Sequence, residues 1–171
     1  DLWVVGLDGS GPVQLTTHPD SESSPQWAPD SQTLYFLAGH EGTTQVWRVA
    51  VGEAPTRVSD FPVDVANLLL SPDGRTLLFS AEVYPECDEA PEGALACTAA
   101  RAKQKADKAS GTGNLYTRLF VRHWDTWKDG RRSQLFAWPI GAPGAVHVSR
   151  GVDGDVPSKP FGGSDEYTFT P

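Results

Sequence analysis

Cysteine is nearly missing from this sequence: Cys87 and Cys97 are the two it has, ten positions apart in one polar stretch. A zinc site needs more thiolate or imidazole ligands, and that stretch holds no His and no further Cys. Two readings stay open: a local disulfide, which suits an extracytoplasmic compartment, or two unpaired thiols in a cytosolic loop. Long apolar runs are missing as well. No stretch approaches the roughly 18 residues of a membrane-crossing helix. The start, Asp1-Leu2-Trp3-Val4-Val5, lacks the basic and apolar regions of a signal peptide. Positive charge is short, with 14 Lys and Arg against 22 Asp and Glu and a formal charge of −8. Neither a phosphate backbone nor an anionic membrane surface is therefore an expected partner. A nucleophile elbow of the form Gly-x-Ser-x-Gly is also absent; Gly162-Gly163-Ser164-Asp165-Glu166 comes nearest and reads as a turn. No motif asks for a cofactor or a metal.

What is plentiful is punctuation: 17 Gly and 14 Pro are scattered along 171 residues, which implies frequent turns. Between them a repeat is visible. Trp27-Ala28-Pro29-Asp30 returns 43 residues later as Leu70-Ser71-Pro72-Asp73, and Phe169-Thr170-Pro171 begins a third copy. Each complete copy is followed by an alternating strand, Thr33-Leu34-Tyr35-Phe36-Leu37 or Thr76-Leu77-Leu78-Phe79-Ser80. The Pro-Asp-Ser/Gly corner supplies the tight turn that folds the two strands back on each other. A second unit recurs between these copies, beginning at Leu2-Trp3-Val4-Val5, Val46-Trp47-Arg48-Val49 and Leu135-Phe136-Ala137-Trp138. A short strand trails each: Val13-Gln14-Leu15-Thr16, Thr56-Arg57-Val58-Ser59 and Val146-His147-Val148-Ser149.

Two hairpins per period of about 43 residues, alternating by two, predict an all-β chain built as a partial β-propeller of four-stranded antiparallel blades. The phase predicts that residues 1–17 end one blade, 20–60 form a complete blade, 64–150 form an enlarged blade, and 152–171 begin the next. On that phase the chain is an excerpt of one propeller domain, with open blade edges through which it could self-associate.

The enlargement is an insertion over residues 82–132. Its middle, Ala94 to Ser110, is rich in Ala, Lys and Gln without Gly or Pro, and predicts a short surface helix ending near Gly111. The segment from Leu115 to Arg132 alternates aromatic and β-branched residues and predicts an extended hairpin turning at Asp129-Gly130. Within it, Arg122-His123-Trp124-Asp125 joins a cation, an imidazole, an indole and a carboxylate in one local run. These four are the candidate binding residues, although a salt-bridged, aromatic-packed strand end explains the same run. His18, His40 and His147 stand alone in separate turns or strands and read as surface or structural residues, not metal ligands. Asp20, Glu22, Asp60 and Asp64 read as solvated or amide-capping residues in the connections between blades.

The apolar residue followed by Ser-Pro-Asp-Gly and an alternating strand resembles TolB-type propeller repeats. The same repeats occur in the N-terminal domains of the prolyl oligopeptidase family of serine peptidases. The insertion narrows the resemblance. Cys87 through Cys97, Lys108-Ala109-Ser110-Gly111, Val121-Arg122-His123-Trp124-Asp125-Thr126-Trp127 and Asp129-Gly130-Arg131-Arg132-Ser133-Gln134-Leu135-Phe136 are similar to bacterial members of that family. Those members are of the acylaminoacyl peptidase and dipeptidyl peptidase V kind, and Asp155-Val156-Pro157-Ser158-Lys159-Pro160-Phe161-Gly162-Gly163 matches their next blade.

The resemblance implies a propeller stacked on an α/β-hydrolase domain that carries the Ser, Asp and His of catalysis. None of those three is present here, so the chain alone is expected to be inactive. The remaining propeller, the hydrolase domain and short peptides are the implied partners, in a periplasmic or secreted setting. A non-enzymatic TolB-like scaffold that binds a protein partner is the alternative.

Overall fold

A computed structural model describes residues 1–108, 111, 116, 122, 123 and 126–170. The chain is mostly antiparallel β-sheet with one α-helix. Strands β1 (Trp3–Val4) and β2 (Val13–Gln14) pair as a hairpin. Next come β3 (Glu22–Trp27), β4 (Thr33–Glu41), β5 (Thr43–Ala50) and β6 (Thr56–Arg57), hydrogen-bonded in that order as a four-stranded meander. A second meander of the same kind joins β7 (Ala66–Leu70), β8 (Thr76–Val83), β11 (Arg132–Pro139) and β12 (Val146–His147). Between β8 and β11 the chain leaves the sheet. It forms helix α1 (Ala94–Asp107) and the small hairpin β9 (Arg122–His123) and β10 (Thr126–Trp127).

The Pro-Asp corners close the β3–β4 and β7–β8 hairpins. Asp30 Oδ1 accepts from the Gln32 and Thr33 amides, and Asp73 Oδ1 accepts from the Arg75 amide and the Ser71 hydroxyl. These bonds favour the ionised form and hold both carboxyls below the ordinary aspartate value. At the residue after each Asp the backbone is left-handed, with φ of 57° at Ser31 and 72° at Gly74. Gly74 also lies against the first sheet, since a Cβ there would come within 2.7 Å of Pro29 Cδ. The first strand of each sheet carries a bulge 43 residues from its counterpart, with left-handed Ser24 and Asn67 at the irregularity.

Alternation decides which face of the first sheet meets what. Leu34, Phe36, Ala38, Trp47 and Val49 point to one side and pack with Leu15, Leu2 and Val4 of the first hairpin. Tyr35, Leu37 and Val46 point to the other side, into a core shared with Leu68, Leu77, Phe79, Phe136 and Trp138 of the second sheet. The first sheet is thus buried on both faces. Phe61, in the connection between the sheets, lies 4.8 Å from the Phe79 ring and 5.3 Å from Trp138, centroid to centroid.

Helix α1 covers the expected region and ends at Asp107. One stripe of it is held down while the rest is exposed. Ala94 and Leu95 enter the shared core, Thr98 Oγ1 accepts from the Tyr84 amide, and Arg101 and Lys105 stand over the Tyr84 ring at 5.1 and 5.5 Å. In the insertion β9 pairs with β10, His123 opposite Thr126, and most of the segment expected to form the hairpin's first arm, from Leu115 on, lies outside the described residues. Asp129-Gly130 turns the chain into β11, with Gly130 at φ 99° and Asp129 accepting from the Arg131 amide. The third Pro copy reaches Pro171, which lies outside the described residues.

Candidate functional site

Of the four residues singled out in the insertion, Arg122 sits exposed on β9 with its guanidinium 5.3 Å above the Trp127 ring. Trp127 is also stacked with Tyr116 at 5.8 Å. His123 lies on β9 beside Arg122, while Trp124 and Asp125 lie outside the described residues. The local aromatic packing of Arg122 is in view; a complete four-residue site is not.

Cys87 and Cys97 are joined as a disulfide, their Cα atoms 5.6 Å apart. The bond ties the short 3-10 turn Pro85–Cys87 to the first turn of α1. Immediately after Cys87, Asp88 and Glu89 reach across to the far end of the second sheet. Glu89 takes the Arg150 guanidinium in a two-point ion pair, and Asp88 Oδ2 accepts from the Gly151 amide at 3.0 Å.

A cavity of about 300 Å³ opens where these elements meet. Its walls come from the connection between the sheets, the start of α1 and the β11–β12 turn. His147 lines it, with its side chain 10% exposed and its ring stacked on Phe136 at 4.6 Å. Burial pushes this imidazole below its ordinary value. Asp88 opposes that shift and Arg150 reinforces it.

Beneath His147 lies a polar device present in both sheets. Gln134 Nε2 donates to the Gly154 carbonyl at 2.7 Å, and its Oε1 accepts from Ser149 Oγ at 2.6 Å. Ser149 Oγ in turn accepts from the Leu135 amide. In the first sheet Gln45 Nε2 donates to the Phe61 and Val63 carbonyls, its Oε1 accepts from Ser59 Oγ, and Ser59 Oγ accepts from the Val46 amide. Asp64 and Asp155 complete the match by accepting from the amides of Thr44 and Ser133. Each glutamine is buried and clamps the chain leaving its sheet. Arg57 of the first sheet occupies the place that His147 takes in the second.

The histidines are less solitary than their spacing suggests. His18 and His40 stack at 3.7 Å, and His40 Nε2 lies 3.1 Å from a carboxylate oxygen of Glu22. Glu22 is the first residue of β3, and its side chain is fully buried, not solvated in a connection. Asp64, by contrast, does cap an amide. Among the described residues, no group of three or more His, Cys, Asp or Glu side chains is placed to hold a metal ion. No helix among them is long and apolar enough to cross a membrane.

No family model matches the chain. Several relatives match nearly all of it, two of which follow. Dipeptidyl-peptidase 4 of Giardia intestinalis is 32% identical over 186 residues, covering 95% of this chain. Dipeptidyl-peptidase 5 of Porphyromonas gingivalis is 25% identical over 185 residues, covering all of it. The chain spans 22% and 24% of those two proteins' lengths. Among solved structures, a TolB protein of Agrobacterium tumefaciens aligns with a TM-score of 0.43 and 26% identity, over 46% of this chain and 29% of its own. Along its whole length, then, the chain is homologous to one segment of the dipeptidyl-peptidases, as its repeat and insertion motifs anticipate.

Proposed function

We propose that this chain is part of the β-propeller of a serine exo- or oligopeptidase, restricting substrate access and docking on an α/β-hydrolase domain that supplies the catalytic serine. One observation carries the reading. Two successive four-stranded meanders repeat the same Gln-Ser-Asp clamp and stack face to face across one core, the arrangement expected of neighbouring blades. Similarity along nearly the whole of this chain to a segment of the dipeptidyl-peptidases supplies the peptidase half of the argument. The insertion between β8 and β11 extends from one blade, and loops at such places are where a rigid scaffold puts its binding residues. A disulfide within it fits a periplasmic or secreted protein.

The test compares this chain with the longer protein on dipeptidyl chromogenic substrates. Turnover by the longer protein alone is expected; turnover by the purified 171-residue chain would overturn the division of labour. Replacing residues 88–128 by a short Gly-Ser turn in the longer protein is expected to change KM for peptides of differing length more than kcat for the smallest one. Unchanged length preference would remove the gating role.

A further inference from the structure

The cavity beside His147 contains a conflict between two hydrogen-bond acceptors. Gln134 Nε2 is committed to the carbonyls of Gly154 and Val152, so its Oε1 can only accept. His147 Nε2, 3.2 Å from that oxygen, is therefore the ring nitrogen that carries the proton. In the neutral imidazole Nδ1 is left as a bare lone pair. It faces Asp88 Oδ1 at 3.8 Å, and neither atom has a hydrogen-bond partner among the described residues although both are buried. Two buried acceptors turned toward each other, too far apart to bond directly, call for a donor between them. A group about 2.8 Å from each would satisfy both at once.

The surroundings select what kind of donor. Glu92 joins Asp88 around the cavity, while its other charged residues lie in ion pairs, Asp60 with Arg57 and Arg150 with Glu89. The local field favours a cation. The rest of the wall includes the apolar surfaces of Phe61, Leu95, Phe136 and Pro143, with room for several methylene groups in about 300 Å³.

We propose that this cavity is a binding site for an alkylammonium group, the ammonium seated between His147 Nδ1 and Asp88 Oδ1 and its methylene chain lying on Phe136 and Leu95. A lysine side chain and a free aliphatic amine share that chemistry. The site stands independently of the peptidase reading, because it is formed wholly by this chain.

The experiment is an NMR titration of the intact chain carrying ¹⁵N-labelled histidine, at pH 7.5. The probes are n-butylamine, Nα-acetyl-lysine N-methylamide and, as a neutral isostere, n-butanol. A saturable shift of the His147 ring nitrogens with an amine and none with butanol is expected. Response to the lysine derivative alone identifies a peptide source, and response to butylamine alone a free amine. Asp88→Asn keeps an oxygen for the Gly151 amide but removes the charge, and is expected to weaken amine binding at least tenfold. An equal response to butanol, no saturable shift with either amine, or unchanged binding by a folded Asp88→Asn chain would overturn the proposal. Should that variant lose its amide dispersion, the amine-against-butanol comparison on the unsubstituted chain decides alone.

Discussion

At the scale of single residues, stability rests on polar side chains that a hydrophobic pattern does not see. Gln45 is fully buried, and it satisfies the Ser59 hydroxyl, the Phe61 amide and the Phe61 and Val63 carbonyls together. Gln45→Leu keeps the volume and strands all four groups away from water. At about 1–3 kcal/mol for each unsatisfied buried group, offset by relaxation and by added apolar burial, the net cost is expected to be about 3–5 kcal/mol. Urea denaturation measures it, and a loss under about 1 kcal/mol would mean that water or neighbouring groups replace the glutamine. The clamp was missed in the sequence because Gln at a strand position is ordinarily assigned to the solvent face. The signal that could have found it is the repeated spacing itself: Gln followed by an apolar residue, then Ser 14 or 15 positions on, then Asp-Val. His147 and Asp88 are invisible for a different reason, since they lie 59 positions apart across insertion and strand and only the fold brings them together. Glu22 pairs with Ala38 across β3 and β4, which puts His40 diagonally opposite it on the same face, a contact that only the strand register reveals.

At the scale of elements, local chemistry was legible and long-range docking was not. The Pro-Asp corners announce their hairpins because Pro presets φ and each Asp accepts from the amide two residues on, all within six residues. The Ala/Lys/Gln composition of residues 94–110 announces a helix for equally local reasons. Which stripe of that helix is held down depends on Tyr84 and on the disulfide, and composition says nothing of either. Thr98, Arg101 and Lys105 repeat at three and four residues, so one face of α1 meets Tyr84 in succession. The Cys87–Cys97 bond closes a loop of sequence separation 10, worth about 2–3 kcal/mol in the chain-entropy model. Replacing both cysteines by Ser is expected to cost about that much and to speed hydrogen exchange first in the opening turn of α1 and at Asp88–Glu89. Exchange that rises equally throughout both sheets would show that the disulfide supports the whole chain instead of the insertion alone.

At the scale of the molecule, the question is whether the two meanders are independent units or one. Their strand order is the same, and each could be imagined folding on its own hairpins. The packing argues otherwise. Tyr35, Leu37 and Val46 of the first sheet share a core with Leu77, Phe79 and Phe136 of the second, and Phe61 from the connection between them is wedged against Phe79 and Trp138. Gln45 clamps that same Phe61 backbone, so the polar network of the first sheet positions an aromatic anchor of the second. Neither sheet can lose its inner face without exposing the other's. Phe79 is fully buried at the centre of this junction and is expected to cost about 3–5 kcal/mol when replaced by Ala. Because the core is common, that substitution is expected to move unfolding of both sheets equally. Trp47 reports the first sheet from its outer face and Trp138 reports the shared core, so chains retaining one or the other as a fluorescence probe distinguish the cases. Coincident denaturation midpoints, shifted together by Phe79→Ala, are the expected result. A Trp47 transition that stays in place while the Trp138 transition falls would mean that the sheets unfold separately and that the shared core does not couple them.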